Sequence, residues 1–265
     1  MMYKTVTIIA AIITIIAMNA CEKKIVTKSD CQLTSVHYLD TINHFEIYDS
    51  LQYLDGKVVK RLYIDVNNPI SSYNSIYYIN NKVSVIYRYS SPSTLFEIDS
   101  FLYDTNGRLS VIERNRAVFT GSDFHPKTDF IYDSDNKVIS VKDATEDPNY
   151  YILKQFTYSG NNIVTSTHTY FQTGIAVTTT IFTFEYSNYK NPVINLGQTN
   201  YFLNIDDSYE TNLSENACTK ITENTSLLTT TAYLIDNSDK ITSAVITFSW
   251  YSGSANKILY HYNCN

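Results

Sequence analysis

The chain has 265 residues and a formal charge of −6, with 24 tyrosines against 7 glycines. That length suits one all-β domain and buries enough apolar surface to stand without many crosslinks. The mildly acidic balance excludes a nucleic-acid surface, which selects basic patches, and so few glycines leave little material for phosphate-cradling loops.

The first element is the apolar run from Val6 to Ala17, behind Met1-Met2-Tyr3-Lys4. A helix of that length rises about 18 Å, short of the roughly 20 residues a spanning helix needs. It therefore reads as the apolar part of a signal peptide over residues 1–20. An ordinary secretory cut after Ala20 would want a small residue at position 18, and methionine is not small. Met18-Asn19-Ala20-Cys21 instead resembles a lipobox, departing from the commonest form at Met18 and Asn19. The resemblance implies cleavage before Cys21 and two or three acyl chains on that cysteine. One chain holds only marginally, at about 0.8 kcal/mol per buried CH₂; several hold stably. Residues 21–30 then form a polar tether. The mature chain carries −7, because the leader takes one lysine with it.

From residue 31 onward the dominant signal is a recurring hairpin. In Tyr103-Asp104-Thr105-Asn106-Gly107-Arg108-Leu109 an aromatic closes one strand, Asn-Gly turns, and a cation and an aliphatic open the next. Asn-Gly is the favoured two-residue reversal because both central residues need positive φ. Variants follow tyrosines 53, 78, 132, 158 and, more loosely, 186; Ile235 to Ile241 and Tyr251 to Ile258 close the series. The tyrosine steps are 25, 25, 29, 26 and 28 residues, room for two strands and two turns but not for a crossover helix. Neighbouring strands should therefore be antiparallel. Strict alternation would put Val83, Val85, Tyr87 and Tyr89 on one face of their strand, and Lys82, Ser84, Ile86 and Arg88 on the other. The expected fold is an all-β antiparallel meander of repeated hairpins over 31–265, curved into a single sheet or half-barrel, with a two-sheet β-sandwich as the alternative. Residues 191–222 break the rhythm and read as a long irregular connection with at most a short helical turn, covering one sheet end or edge.

The phrase at 103–109 resembles the YD repeat of Rhs-type shells. The whole-chain pattern, lipobox included, looks like the uncharacterised β-repeat lipoproteins of Bacteroidetes, whose late-domain segment is similar to Tyr186–Val193. That resemblance covers most of residues 45–262. It implies an outer-membrane address, with the membrane face undetermined, and brings no catalytic residues.

The chemistry is sparse. Asp55, Asp104, Asp133, Asp135, Asp236 and Asp239 stand at turns, where aspartate caps backbone groups; Asp206-Asp207 is an adjacent pair outside the repeats. His37, His44, His125, His168 and His261 show no zinc spacing, and no nucleophile-elbow or dinucleotide fingerprint occurs. Of the four cysteines, Cys21 is assigned to lipid, leaving at most one disulfide among Cys31, Cys218 and Cys264. Cys31 and Cys264, near the domain's two ends, would close a loop of over 200 residues, and three reduced thiols are the equal alternative. Asp40-Thr41-Ile42 and Asp49-Ser50-Leu51 resemble O-glycosylation sites of the same organism group, at Thr41 and Ser50. The expectation is a non-catalytic envelope lipoprotein with no cofactor or metal. It is attached to a membrane through its lipid and binds a polysaccharide or a surface protein. A structural envelope component is the alternative, and a carbohydrate-active enzyme is less favoured. Tyrosine richness could mark a binding face, but strand propensity and codon bias explain it first.

Overall fold

A computed structural model of the protein describes residues 31–40, 45–66, 72–90, 94–116, 126–144, 147, 149–194, 209–249 and 255–264. The leader, Cys21, the tether, Thr41 and Asp206-Asp207 lie outside them. Sixteen strands follow in order: β1 (Cys31–Asp40), β2 (Phe45–Leu54), β3 (Lys57–Asp65), β4 (Ser72–Ile79), β5 (Lys82–Tyr89), β6 (Leu95–Tyr103), β7 (Leu109–Arg116), β8 (Lys127–Tyr132), β9 (Val138–Ala144), β10 (Tyr150–Ser159), β11 (Asn162–Gln172), β12 (Ile175–Lys190), β13 (Asn216–Glu223), β14 (Ser226–Ile235), β15 (Ile241–Phe248) and β16 (Ala255–Cys264). A five-residue helix, α1 (Tyr209–Leu213), precedes β13. Each strand pairs with the next, and β16 returns to β1 to close a barrel. At that seam Thr34 Oγ1 donates to the His261 carbonyl oxygen across 3.1 Å. The antiparallel meander of hairpins is as expected, and its closure goes further than a half-barrel. Closure removes the two open edges that a curved sheet would have had to blunt.

Leu33–Asn263 form one body, and its construction explains the tyrosine repeat. In six hairpins the odd-numbered strand carries one extra residue, a β-bulge, just above the tight turn. Tyr53 pairs with Val58 and Gln52 with Lys60, skipping Val59; the same step skips Ser84, Ser110, Ile139, Val164 and Thr242. Each repeat tyrosine points into the barrel and donates its hydroxyl to a carbonyl of the preceding strand: Tyr53 to Leu33, Tyr78 to Val58, Tyr103 to Val83, Tyr132 to Leu109, Tyr158 to Val138, Tyr186 to Ile163, Tyr233 to Cys218 and Tyr262 to Ile241. All eight distances fall between 2.5 and 2.9 Å. Burial raises the hydroxyls of Tyr53, Tyr103 and Tyr132 to a pKa of about 12. In four successive hairpins the cation after the turn lies over the tyrosine of the next repeat, Lys57 over Tyr78, Lys82 over Tyr103, Arg108 over Tyr132 and Lys137 over Tyr158, at 4.8–5.4 Å. It also bonds the next turn: Lys82 Nζ donates to the Gly107 carbonyl and Lys137 Nζ to that of Gly160.

The bulges correct the expected faces of β5. Because Ser84 is skipped, Val83 and Ile86 both face inward, at 2% and 0% exposure, and Val85, Tyr87 and Tyr89 face out. The turn at 103–109 also differs from a two-residue reversal. Among its residues only Gly107 takes positive φ, at 76°, while Gly107 N donates to Asp104 O and Asp104 Oδ1 accepts from Arg108 N. That is a longer turn closed by a bulge. True two-residue reversals with both φ positive occur at Asp55-Gly56 and Asn80-Asn81. Residues 191–222 are shorter as a connection than expected, because β13 begins at Asn216.

Candidate binding cavity

Going up from the tyrosine layer, the inward side chains form an aliphatic and aromatic layer, including Val58, Val83, Leu109, Val138 and Ile163, then Leu51, Ile86, Phe101, Ile112 and Phe130. Above it runs a belt of buried ionic and polar groups that alternation alone does not reveal. Arg61 donates Nε and Nη2 to the two carboxylate oxygens of Asp49 at 2.8 and 2.6 Å. Arg88 bridges Asp99 at 2.7 Å and Glu97 at 3.1 Å. Thr128 Oγ1 donates to Asp143, which also pairs with Lys154 at 3.1 Å. Burial pushes the Asp49 and Asp99 carboxyls up, opposed by Arg61 and Arg88 respectively. Buried charges persist only when so paired. Asp104, Asp133 and Asp236 cap their turns as expected, accepting from Arg108 N, Lys137 N and Lys240 N; the belt adds Asp49, Glu97, Asp99 and Asp143, strand residues aimed inward that the turn reading did not single out. Their signal was an acid at an inward position level with, or two residues along from, a base on the neighbouring strand.

The connection after β12 returns into the barrel. Glu210 on α1, 3% exposed, accepts from Ser166 Oγ at 2.7 Å and lies 2.6 Å from His168 Nε2. Burial would raise the Glu210 carboxyl, but His168 and Ser166 together hold it below its usual range. Ser214 Oγ accepts from Ile163 N and Asn191 Nδ2 donates to the Thr211 carbonyl, which pins both ends of the segment. Ser166 and His168 both spend their protons on one carboxylate, so the serine has no base of its own and the trio reads as a clasp.

Beside this packed sector, β1–β3 and β13–β16 enclose a cavity of about 550 Å³, floored by Asn191, Pro192 and Thr211 of the connection. Its wall mixes apolar Ile47, Ile221, Ile246 and Phe248 with Tyr38, Tyr63, Tyr233 and Tyr260. The polar contribution comes from Asp40, Asn256 and the Asp49–Arg61 pair. The Asn256 Oδ1 is buried without a hydrogen-bond partner. A concave, mostly apolar space of this size with a few convergent polar groups is what a small-molecule site requires.

Sequence reasoning identified none of these lining roles. Ser50 lies on the outward face of β2, opposite Ser35 and Leu62, while its neighbour Asp49 is taken by Arg61. Cys31 is disulfide-bonded, and Cys218 is a buried thiol outside any disulfide whose Sγ donates to the Lys220 carbonyl. His37 lies 2.7 Å from Glu46 and stacks on Tyr48. Among the described residues, no three metal-ligating side chains gather, and no helix is long and apolar enough to cross a membrane.

No protein-family model matches the chain, and no curated protein matches it. Solved structures do. A porin-like protein from Bacteroides uniformis superimposes with a TM-score of 0.60 at 12% identity, over 87% of this chain and 98% of that one. A porin-like protein from Bacteroides vulgatus gives 0.55 at 15% identity, over 88% and 99%. At such identities the likeness shows the shared fold, an antiparallel barrel.

Proposed function

We propose that this is a non-catalytic lipoprotein of the cell envelope, anchored to the outer membrane through Cys21, and that its barrel takes the end of a neutral glycan into the interior cavity. The cavity carries this reading. Tyrosine rings offer flat apolar faces, as sugar rings do, and Asn256 Oδ1 is a buried acceptor suited to a hydroxyl donor. Two carboxylates, Asp40 and Asp49, face one guanidinium, Arg61, which disfavours anionic ligands. The absence of catalysis is supported by the pairing of the buried acids: Asp49, Glu97, Asp99, Asp143 and Glu210 each lie against a cation or histidine. The porin-like neighbours fit an envelope address.

Calorimetric titration of the full-length protein with neutral and with uronic-acid oligosaccharides tests the proposal. Binding of a neutral glycan, unconsumed on prolonged incubation and abolished by Ala244→Phe, which puts a ring into the cavity from its β15 wall, is the expected result. Heat from no neutral glycan, or binding untouched by Ala244→Phe, removes the cavity from the account. Release of a shortened glycan removes the non-catalytic part.

A further inference from the structure

We propose that the sugar held in the cavity carries an N-acetyl group, and that Thr231, Ile246 and Asn256 select it. This rests on the cavity being a glycan site and adds which sugar that site prefers.

The three residues form one row across the wall. Thr231 pairs with Ile246 across β14 and β15, and Ile246 pairs with Asn256 across β15 and β16. All three line the cavity. Neighbouring strands stand about 4.8 Å apart, so two spacings separate the ends of the row by roughly 9–10 Å. Thr231 brings a hydroxyl, which can donate. Ile246 brings a hydrocarbon surface. Asn256 brings a buried Oδ1 that has no hydrogen-bond partner among the described residues. The row therefore reads donor, aliphatic, acceptor. The rows on either side put more apolar surface beside it, Phe248 opposite Thr229 and Ala244 opposite Ile258.

A sugar hydroxyl answers only one end of this row. It satisfies Asn256 and sets no apolar group against Ile246. A secondary amide answers the whole row. Its N–H and C=O point in opposite directions, as those of a peptide group do between the two neighbours of a strand. With a hydrogen bond of about 2.9 Å at each end it spans the same interval. Asn256 Oδ1 then accepts from the amide N–H, and the Thr231 hydroxyl donates to the amide carbonyl. The acetyl methyl lies over Ile246, with Phe248 two residues along β15. A buried acceptor left unsatisfied penalises every ligand that lacks the donor, so the row acts as a filter. An N-acetylated hexosamine is also uncharged, in keeping with a wall that sets Asp40 and Asp49 against the one guanidinium of Arg61.

The test is calorimetric titration of the full-length protein with an oligomer of β-1,4-linked N-acetylglucosamine and with the glucose oligomer of the same length and linkage. The two differ only in the acetamido group. The N-acetylated oligomer should bind about tenfold more tightly or better, the worth of one buried hydrogen-bond pair with its methyl contact. Asn256→Ala should cut that preference severalfold. Thr231→Val, which keeps the side-chain shape and removes the donor, should cut it as well. Equal affinity for the two oligomers would overturn the acetamido inference and leave the glycan site standing. A preference unchanged in both variants would overturn the assignment to this row. Tighter binding of an oligoalanine peptide than of the N-acetylated oligomer would give the amide to a peptide and overturn the sugar. No heat from either oligomer or from any other neutral glycan would overturn the glycan site itself.

Discussion

The Tyr158 hydroxyl donates to the Val138 carbonyl oxygen across 2.8 Å, from one hairpin to the one before it. Seven other tyrosines repeat this bond around the barrel, and each secures a carbonyl next to a bulge or at the seam, where the strand ladder leaves it unclaimed. Tyr158→Phe keeps the ring and strands that carbonyl. Urea unfolding should show a loss of about 1–2 kcal/mol. A loss within error would mean that the ring alone holds the layer. Tyr186→Phe should cost more, since its hydroxyl also meets Ser214 of the connection.

The same layer sets an alkaline limit. A phenol that titrates near 10 in the unfolded chain and at about 12 in the barrel binds its proton more tightly when folded. Its contribution is complete below pH 10 and is lost as pH rises from 10 through 12. Stability should therefore fall steeply across that window, with several tyrosines titrating together. Circular dichroism and the ultraviolet absorbance of phenolate should change in one coupled transition. Phenolate appearing near pH 10 with the fold intact would contradict the buried hydroxyls.

Part of this design was legible in the residues themselves. The 25-residue spacing of Tyr53, Tyr78 and Tyr103 fixed antiparallel hairpins because no crossover helix fits between them. The inward aim of Ile86 was not legible, because a bulge at Ser84 shifts the face by one residue and Ser-Val-Ile carries no mark of it. Closure is equally silent: it depends on Thr34 meeting His261, a contact across 227 positions. The cavity wall draws on strands from both ends of the chain, so Tyr38 and Tyr260 become neighbours of one space only when the seam forms.

In the cavity wall, Asp49 and Arg61 are 1% and 7% exposed and bonded twice. Asp49→Leu alone leaves a buried guanidinium uncompensated and should cost about 3–5 kcal/mol in denaturant unfolding. The double replacement Asp49→Leu with Arg61→Met should recover most of that loss. If the double variant is as unstable as the single one, the pair is holding the wall by shape as well as charge.

Glu210→Gln tests the clasp. The glutamine keeps the shape but loses the charge that His168 and Ser166 favour, and the connection should loosen from β11. In the wild type, a carboxyl held below its usual range stabilises the fold above about pH 4.5 and loses that contribution as pH falls through the folded value. Hydrogen exchange at residues 209–215 should therefore quicken in acid in the wild type, and should be fast at neutral pH in Glu210→Gln. Equal protection in both would show that Asn191 and Ser214 suffice to hold the segment.

The partner of Cys31 in its disulfide bears on the proposed lipid attachment at Cys21. Cys31 is bonded, and Cys218 is not its partner, so the mate is Cys264 or Cys21. Counting three residues toward the tight-turn end from the Thr34–His261 contact brings Cys31 opposite Cys264 on the neighbouring strand. That pairing closes almost the whole barrel as one loop, worth about 5 kcal/mol in the chain-entropy model, and leaves Cys21 free for lipid. Non-reducing peptide mapping should recover Cys31 joined to Cys264, and reduction should lower the urea midpoint in the wild type but not in Cys31→Ser. A peptide joining Cys31 to Cys21 would instead exclude an acylated thiol on Cys21, and with it the membrane tether.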